Sequence, residues 1–183
     1  YRLADDVDPD LAADLDAAGT EEVRDRLAAL LDAAVRRTST SDAPVGTLVS
    51  GGLDSSLIAS FAAAQDPDHR LYTAAVSGPH SELQAAEDLA AHVGRPLVAA
   101  PFTPEQVLTD WARCTWYHEA PIVTHLNALP LASVARAVRD EGTKVVLTGE
   151  GADELFAGYP SMAARPHLDL ARLPYTWLRR AYS

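Results

Sequence analysis

Lysine and cysteine are almost missing from this sequence of 183 residues. Cys114 is the only cysteine, so no disulfide can form within the chain and no thiolate cluster can hold zinc. Lys144 is the only lysine, so a phosphate site would have to use backbone amides, arginine or a metal ion. This sparing use of cysteine favours a reducing, cytoplasmic compartment.

Long apolar runs and an excess of positive charge are missing as well. No stretch approaches the roughly 20 apolar residues of a membrane helix, so we expect no membrane-spanning protein. Fifteen basic residues stand against twenty-six acidic ones, and the formal net charge is −11. Such a surface repels the phosphate backbone of nucleic acids. The charge and hydropathy therefore predict neither nucleic acid nor membrane as a partner.

What the sequence does contain is an alternation of short β-rich runs with helical patterns. The four predicted strands are residues 45–49, 71–76, 96–100 and 144–148. Helical spacing of apolar residues follows each of the first three strands. Strands and helices that alternate at these lengths predict an α/β fold, with a doubly wound parallel sheet and flanking helices.

Three segments are predicted along the chain. Residues 1–19 contain six aspartates between alanines and are interpreted as an acidic, solvated arm. Residues 20–160 hold the alternating elements and form the main domain. Residues 161–183 are interpreted as the beginning of a truncated C-terminal part.

The first loop with chemical character follows the first predicted strand. It is Ser50-Gly51-Gly52-Leu53-Asp54-Ser55-Ser56. Its glycines let successive amides turn inward, and the next helix points its positive end at the same place. We therefore predict a phosphate cradle that needs no lysine. The loop is not a Walker loop, because it contains no lysine, and it is not a dinucleotide-binding fingerprint, because it contains no third glycine.

The second such loop follows the last predicted strand and runs from Thr148 to Tyr159. It contains three carboxylates within five residues, Glu150, Asp153 and Glu154. On a surface turn these would simply be solvated. At the carboxyl edge of a sheet, beside a phosphate cradle, they suit magnesium ligation or proton transfer.

Together the two loops resemble those of a known family. The first resembles the pyrophosphate loop (PP-loop) of the ATP pyrophosphatases, which have an adenine nucleotide alpha-hydrolase-like fold. The second, from Gly149 to Tyr159, resembles the matching loop in the synthetase domain of the asparagine synthetases. The resemblance implies that ATP and Mg²⁺ bind here. It implies nucleotide contacts from Leu48, Ser50, Gly51, Gly52, Asp54, Ser55, Ser56, Val76, Thr148 and Gly149. It further implies Asp54 and Asp153 as magnesium ligands and Glu150 as the catalytic base.

The function implied by this resemblance is an ATP-dependent, AMP-forming amide ligase. It would activate a small carboxylate as an acyl-adenylate, which ammonia or an amine then attacks, and a glutaminase domain or subunit absent from this chain would supply the ammonia. β-Lactam synthetases place a tyrosine where Glu150 stands, which favours the intermolecular branch. Two alternatives stay open: another PP-loop ATP pyrophosphatase in natural-product biosynthesis, or a catalytically inactive nucleotide-binding subunit. The acceptor, aspartate or another carboxylate, is also open.

The helix after the third strand carries further candidates. Trp111 and Trp116 lie at helical spacing and are predicted to be core residues, as is Cys114. His118, Glu119, His125 and Asn127 follow and suit either the wall of an acceptor pocket or ordinary polar caps.

Overall fold

The structure is a computed structural model that describes residues 9–78, 81–122, 126–156 and 158–159. The strands are β1 (Val45–Leu48), β2 (Arg70–Val76), β3 (Leu97–Phe102) and β4 (Val145–Leu147). The helices are α1 (Pro9–Ala17), α2 (Thr20–Thr38), α3 (Leu53–Gln65), α4 (Leu83–Val93), α5 (Pro104–His118), α6 (Ala128–Asp140) and α7 (Ala152–Phe156). Helix α1 lies in the segment for which the sequence predicted an arm.

The chain divides into two compact units. The sheet unit is Leu31–Glu150, and the terminal unit combines Tyr1–Leu30 with Gly151–Ser183. All four strands belong to the sheet unit. The domain boundaries predicted from the sequence, after residues 19 and 160, stay predictions. None of the helices in the described part of the chain combines the length and the hydropathy that a bilayer crossing requires.

The four strands form one parallel sheet in the order β3-β2-β1-β4. The predicted α/β fold with a parallel sheet and flanking helices is therefore confirmed. The chain first moves outward from β1 through β2 to β3, and then returns to place β4 on the other side of β1. This reversal creates a topological switch point between β1 and β4, where sheets of this type bind their ligands.

Helices cover both faces of the sheet. On one face α3 and α4 pack through alanines, and Ala59, Ala86 and Ala90 form a cluster with Leu71 and Val49. On the other face Val134 and Val138 of α6 pack on Tyr72 and Ala100, and α5 packs on α6. The small residues let α3 and α4 approach the sheet closely.

The apolar spacing of the sequence predicts that Leu57, Ile58 and Phe61 lie on the inner side of α3. In the structure Leu57 is 39% exposed and Ile58 and Phe61 are half-buried, whereas the small residues Ser55 and Ala62 are buried. Helix α3 lies close to the sheet, so only small side chains fit between them, and the spacing of apolar residues does not reveal this limit on size.

Candidate functional site

The two predicted loops follow β1 and β4, the strands on either side of the switch point. Parallel strands end at the same edge, so both loops begin at the carboxyl edge of the sheet. The register pairs Thr47 with Leu147, so the strands end nearly level. The fold therefore brings the start of the second loop to the first loop, as the sequence predicted.

Helix α3 begins directly in the first loop. Gly52 occupies the N-cap position with an extended backbone, and Leu53, Asp54 and Ser55 form the first turn. Amides in the first turn of an α-helix have no intrahelical carbonyl to bond. They are free to bind an anion, which the positive end of the helix dipole also attracts.

Serine hydroxyls fix the shape of the first loop. The Ser55 oxygen accepts a hydrogen bond from the Ser50 amide at 3.3 Å, and the two hydroxyls lie 3.2 Å apart. Both Ser55 and Ser56 donate to the Gly52 carbonyl, at 3.3 and 2.7 Å. Ser55 is only 8% exposed. The hydroxyls that were expected to contact phosphate thus also bond the loop to itself.

Gly51 is required at its position for two reasons. Its φ is +76°, in the left-handed region that favours glycine. A side chain there would also collide with the Cβ of Ala85 in α4. Ala85 is a contact that the sequence analysis missed, because nothing in the local pattern links the first turn of α4 to this loop.

The second loop touches the first at Gly149. A Cβ at position 149 would lie 2.8 Å from the Ser55 nitrogen and 2.9 Å from the Asp54 Cβ. A Cβ atom does not approach other heavy atoms within 3.0 Å, so only glycine at position 149 lets the second loop lie this close to the first turn of α3. Next to it, the Glu150 amide donates to the Thr148 hydroxyl at 3.4 Å, and the Glu150 side chain is exposed.

The charge in these two loops is entirely negative. Residues 48–56 and 148–150 contain Asp54 and Glu150 but neither lysine nor arginine. A polyphosphate placed among them would be repelled by both carboxylates unless a cation intervened. Within the described ranges, no three His, Cys, Asp or Glu side chains converge to form a metal site. Mg²⁺ is usually bound by one or two carboxylates together with phosphate oxygens and water, so it needs no such cluster.

The residues expected to flank adenine lie on one face of the sheet. Leu48 pairs with Tyr72, and Val76 is four residues further along the same strand, about 13 Å at the usual rise. Alternate residues share a face, so Leu48 and Val76 both project toward the α6 side. Their contacts with adenine stay predictions.

Asp153 belongs to the terminal unit. It lies in the first turn of α7 and is partly buried. Its carbonyl accepts a bond from the Gly158 amide at 3.0 Å. A side chain at Gly158 would collide with the Asp153 carboxylate, so glycine leaves room for that carboxylate. Its role as a second magnesium ligand stays a prediction.

The C-terminal end of α5 differs from the prediction. Cys114 is buried as expected, but Trp116 is 80% exposed and Trp111 39%, so their assignment to the core was wrong. Helix α5 packs on α6 through the Cys114 side and turns Trp116 outward. Of the candidate acceptor residues, His118, Glu119 and Asn127 are exposed, and His125 lies outside the described residues.

Comparison with known proteins agrees with the motifs. A model of the asparagine synthase family matches residues 26–182. The chain is 33% identical over 169 residues to "Asparagine synthetase [glutamine-hydrolyzing] 1" of Saccharomyces cerevisiae, covering 74% of this chain and 30% of the relative. It is 36% identical over 151 residues to "Asparagine synthetase B [glutamine-hydrolyzing]" of Escherichia coli, covering 74% and 27%. The chain thus spans less than a third of the length of these curated relatives.

Among solved structures, one match is an NH3-dependent NAD synthetase from Campylobacter jejuni. Its sequence identity is 13% and its TM-score 0.46, over 78% of this chain and 61% of that one. A similarity this distant does not bear on function.

Proposed function

Because the chain belongs to the asparagine synthase family, we propose that it forms the nucleotide-binding part of an ATP-dependent, AMP-forming amide ligase. The substrates would be ATP, a small carboxylate and a nitrogen donor, which is ammonia or an amine. A glutaminase domain or subunit outside this chain would release the ammonia. The enzyme would work in the cytoplasm, as the near absence of cysteine suggests.

The observation that carries the proposal is the contact of Gly149 with Asp54 and Ser55. It supports one site in which the first loop binds phosphates while the second presents Thr148, Gly149 and Glu150. Leu48 and Val76 would border the adenine. The amides of Gly51 and Gly52 and of the first turn of α3, with the Ser50, Ser55 and Ser56 hydroxyls, would contact the phosphates.

The chemistry proceeds in two steps. In the first, a carboxylate oxygen attacks the α-phosphorus of ATP, and the bond to the bridging oxygen breaks to release pyrophosphate. Negative charge accumulates on pyrophosphate, toward which the loop amides and the end of α3 are directed. In the second, the nitrogen attacks the acyl-adenylate carbonyl, loses a proton and displaces AMP.

Two carboxylates have distinct roles in this scheme. Asp54, with Asp153 as the proposed second ligand, would hold Mg²⁺, which supplies charge neutralisation for the phosphates. Glu150 would accept the proton lost by nitrogen, since it stands beside the phosphate loop and is exposed to an incoming donor. Because both loops contain no lysine or arginine, the cation would offset the repulsion between these carboxylates and the phosphates.

The test is pyrophosphate release from Mg-ATP in the presence of candidate carboxylates, aspartate first. We expect release with the correct carboxylate and its loss in Asp54→Ala and in Asp153→Ala. Glu87→Gln, an exposed charge change on α4, is the matched control and should retain activity. Binding of Mg-ATP with no AMP formed from any acceptor would instead identify a nucleotide-binding subunit without ligase activity.

A further inference from the structure

Strand β4 determines where the second loop begins, although it is a short strand. It contains three residues, is half-buried and, in the described part of the chain, pairs with β1 alone. A shift of β4 by one residue would move Gly149 and Glu150 by about 3.3 Å. The close contact of Gly149 with the start of α3 leaves much less room than that. A contact that fixes β4 along its own axis therefore also fixes the site.

Tyr72 of β2 makes such a contact, because its side chain reaches across β1 to the segment before β4. The phenol oxygen lies 2.6 Å from the hydroxyl oxygen of Thr143, which is two residues before β4, and both side chains are buried. Strands β2 and β4 are not neighbours, since β1 lies between them. The hydrogen bond between Tyr72 and Thr143 therefore connects the centre of the sheet directly to the segment that leads into the second loop.

Gly46 of β1 leaves the space through which the Tyr72 ring passes. A Cβ at position 46 would lie 2.5 Å from the Cε2 atom of Tyr72 and 2.9 Å from the carbonyl oxygen of Arg70. The ring thus occupies the place of a side chain on β1. Val134 and Val138 of α6 also pack on this ring. A ring confined between a strand and a helix presents its hydroxyl at one position.

A second contact between the same two segments provides a comparison. Arg70 forms an ion pair with Glu141, which again reaches from β2 past β1 to the turn between α6 and β4. These two side chains are 44% and 41% exposed, and exposed ion pairs contribute little to stability. Water can replace the ion pair when it breaks, whereas a broken bond between Tyr72 and Thr143 leaves buried hydroxyls without partners. The buried hydrogen bond is therefore the stronger constraint on β4.

We propose that Tyr72 is a positioning residue, which acts through Thr143 to hold β4, and with it Gly149 and Glu150, against the first loop. Tyr72 is fully buried, so it does not touch a ligand itself. The consequence for amide formation rests on the proposed ligase function, whereas the placement of the loop does not.

The first test is a double-mutant cycle of Tyr72→Phe and Gly149→Ala, with the free energy of unfolding measured by chemical denaturation. Tyr72→Phe keeps the ring and removes only the hydroxyl. The two changes affect different contacts, since Gly149 lies against the start of α3 and the hydroxyl lies against Thr143. Independent sites give additive losses. We expect Gly149→Ala to cost less stability when Tyr72→Phe is present, because a released β4 lets the second loop move away from α3. Additive losses would overturn the proposal.

A second pair of variants separates position from stability. Tyr72→Phe alone leaves the Thr143 hydroxyl buried without its partner, which is destabilising in itself. Combining it with Thr143→Val replaces both hydroxyls by apolar groups of similar shape, so stability should return close to that of the wild type. We still expect hydrogen exchange of residues 145–150, measured without nucleotide, to be about two- to tenfold faster than in the wild type, the factor that corresponds to one hydrogen bond. Glu141→Gln removes the exposed ion pair, is the matched control and should exchange like the wild type.

The outcomes distinguish this inference from the ligase proposal. Wild-type exchange of residues 145–150 in the Tyr72→Phe/Thr143→Val protein, or an equal increase in all four strands, would overturn the positioning role. In the same protein kcat for amide formation should fall more than the affinity for Mg-ATP, since the first loop keeps its own contacts; an unchanged kcat would also overturn the role in the reaction. If the wild type forms no amide from any acceptor, the ligase proposal fails, and the exchange results still decide whether Tyr72 positions the loop.

Discussion

Replacing Gly149 with alanine changes a contact that joins the second loop to the first. Three atoms of the α3 start, the Ser55 nitrogen and the Asp54 Cβ and carbonyl carbon, would lie between 2.8 and 3.0 Å from the new Cβ. Ordinary carbon contacts are about 3.5 Å or longer, so the loops must separate by about half an ångström or more. The neighbours are backbone atoms or the Cβ next to them, so they cannot move aside by changing rotamer.

We expect Gly149→Ala to lower the free energy of unfolding by about 1–3 kcal/mol, the usual cost of overpacking. Affinity for Mg-ATP should fall as well, because the amides of the α3 first turn move with Asp54 and Ser55. Chemical denaturation gives the first quantity and calorimetric titration with Mg-ATP the second. Gly19→Ala is the control, since a Cβ at position 19 meets nothing within 4 Å. A Gly149→Ala protein with wild-type stability and affinity would refute the contact between the loops.

Three further predictions concern single side chains. Glu150→Gln should leave the affinity for Mg-ATP nearly unchanged and slow amide formation. If the variant forms amide as fast as the wild type, Glu150 is not the base. Burial lowers the pKa of the His69 imidazole below its usual value near 6.5. As the pH falls, His69 therefore takes up a proton in the unfolded chain before it does so in the folded chain. The free energy of unfolding should consequently fall as the pH drops below about 6.5. Denaturation of His69→Gln at pH 7 and 5.5 should show a smaller difference than wild type. Glu119→Gly should raise the free energy of unfolding by about 1 kcal/mol, because glycine adopts the positive φ of this helix C-cap without strain; a lower free energy of unfolding would show that the Glu119 side chain itself stabilises the end of α5.

The sheet and the position of its loops were predictable from the sequence because they depend on local patterns. A β-rich run such as residues 45–49, followed by glycines and a helical pattern, predicts strand, turn and helix in order. Once four such strands are assigned to a parallel sheet, their carboxyl ends share an edge. The sequence also predicted that Gly149 belongs to the site, although only the structure explains why a side chain is excluded there.

Features that depend on distant packing were not predictable. The contact of Ala85 with Gly51 joins residues 34 positions apart in sequence, and no local pattern encodes it. The exposure of Trp116 was missed for a related reason: helical spacing identifies an apolar face but does not say whether anything covers it. Leu57 shows the same limit, since the sheet accepts only small residues of α3 at close range.

The most direct test of a single ATP site formed by both loops is amide hydrogen exchange with and without Mg-ATP. The account predicts that the amides of Gly51 to Ser55 and those of Gly149 and Glu150 become protected together, at one ATP concentration, and that Asp54→Asn weakens both effects equally. Protection of only one loop, or of neither while ATP binds, would contradict it.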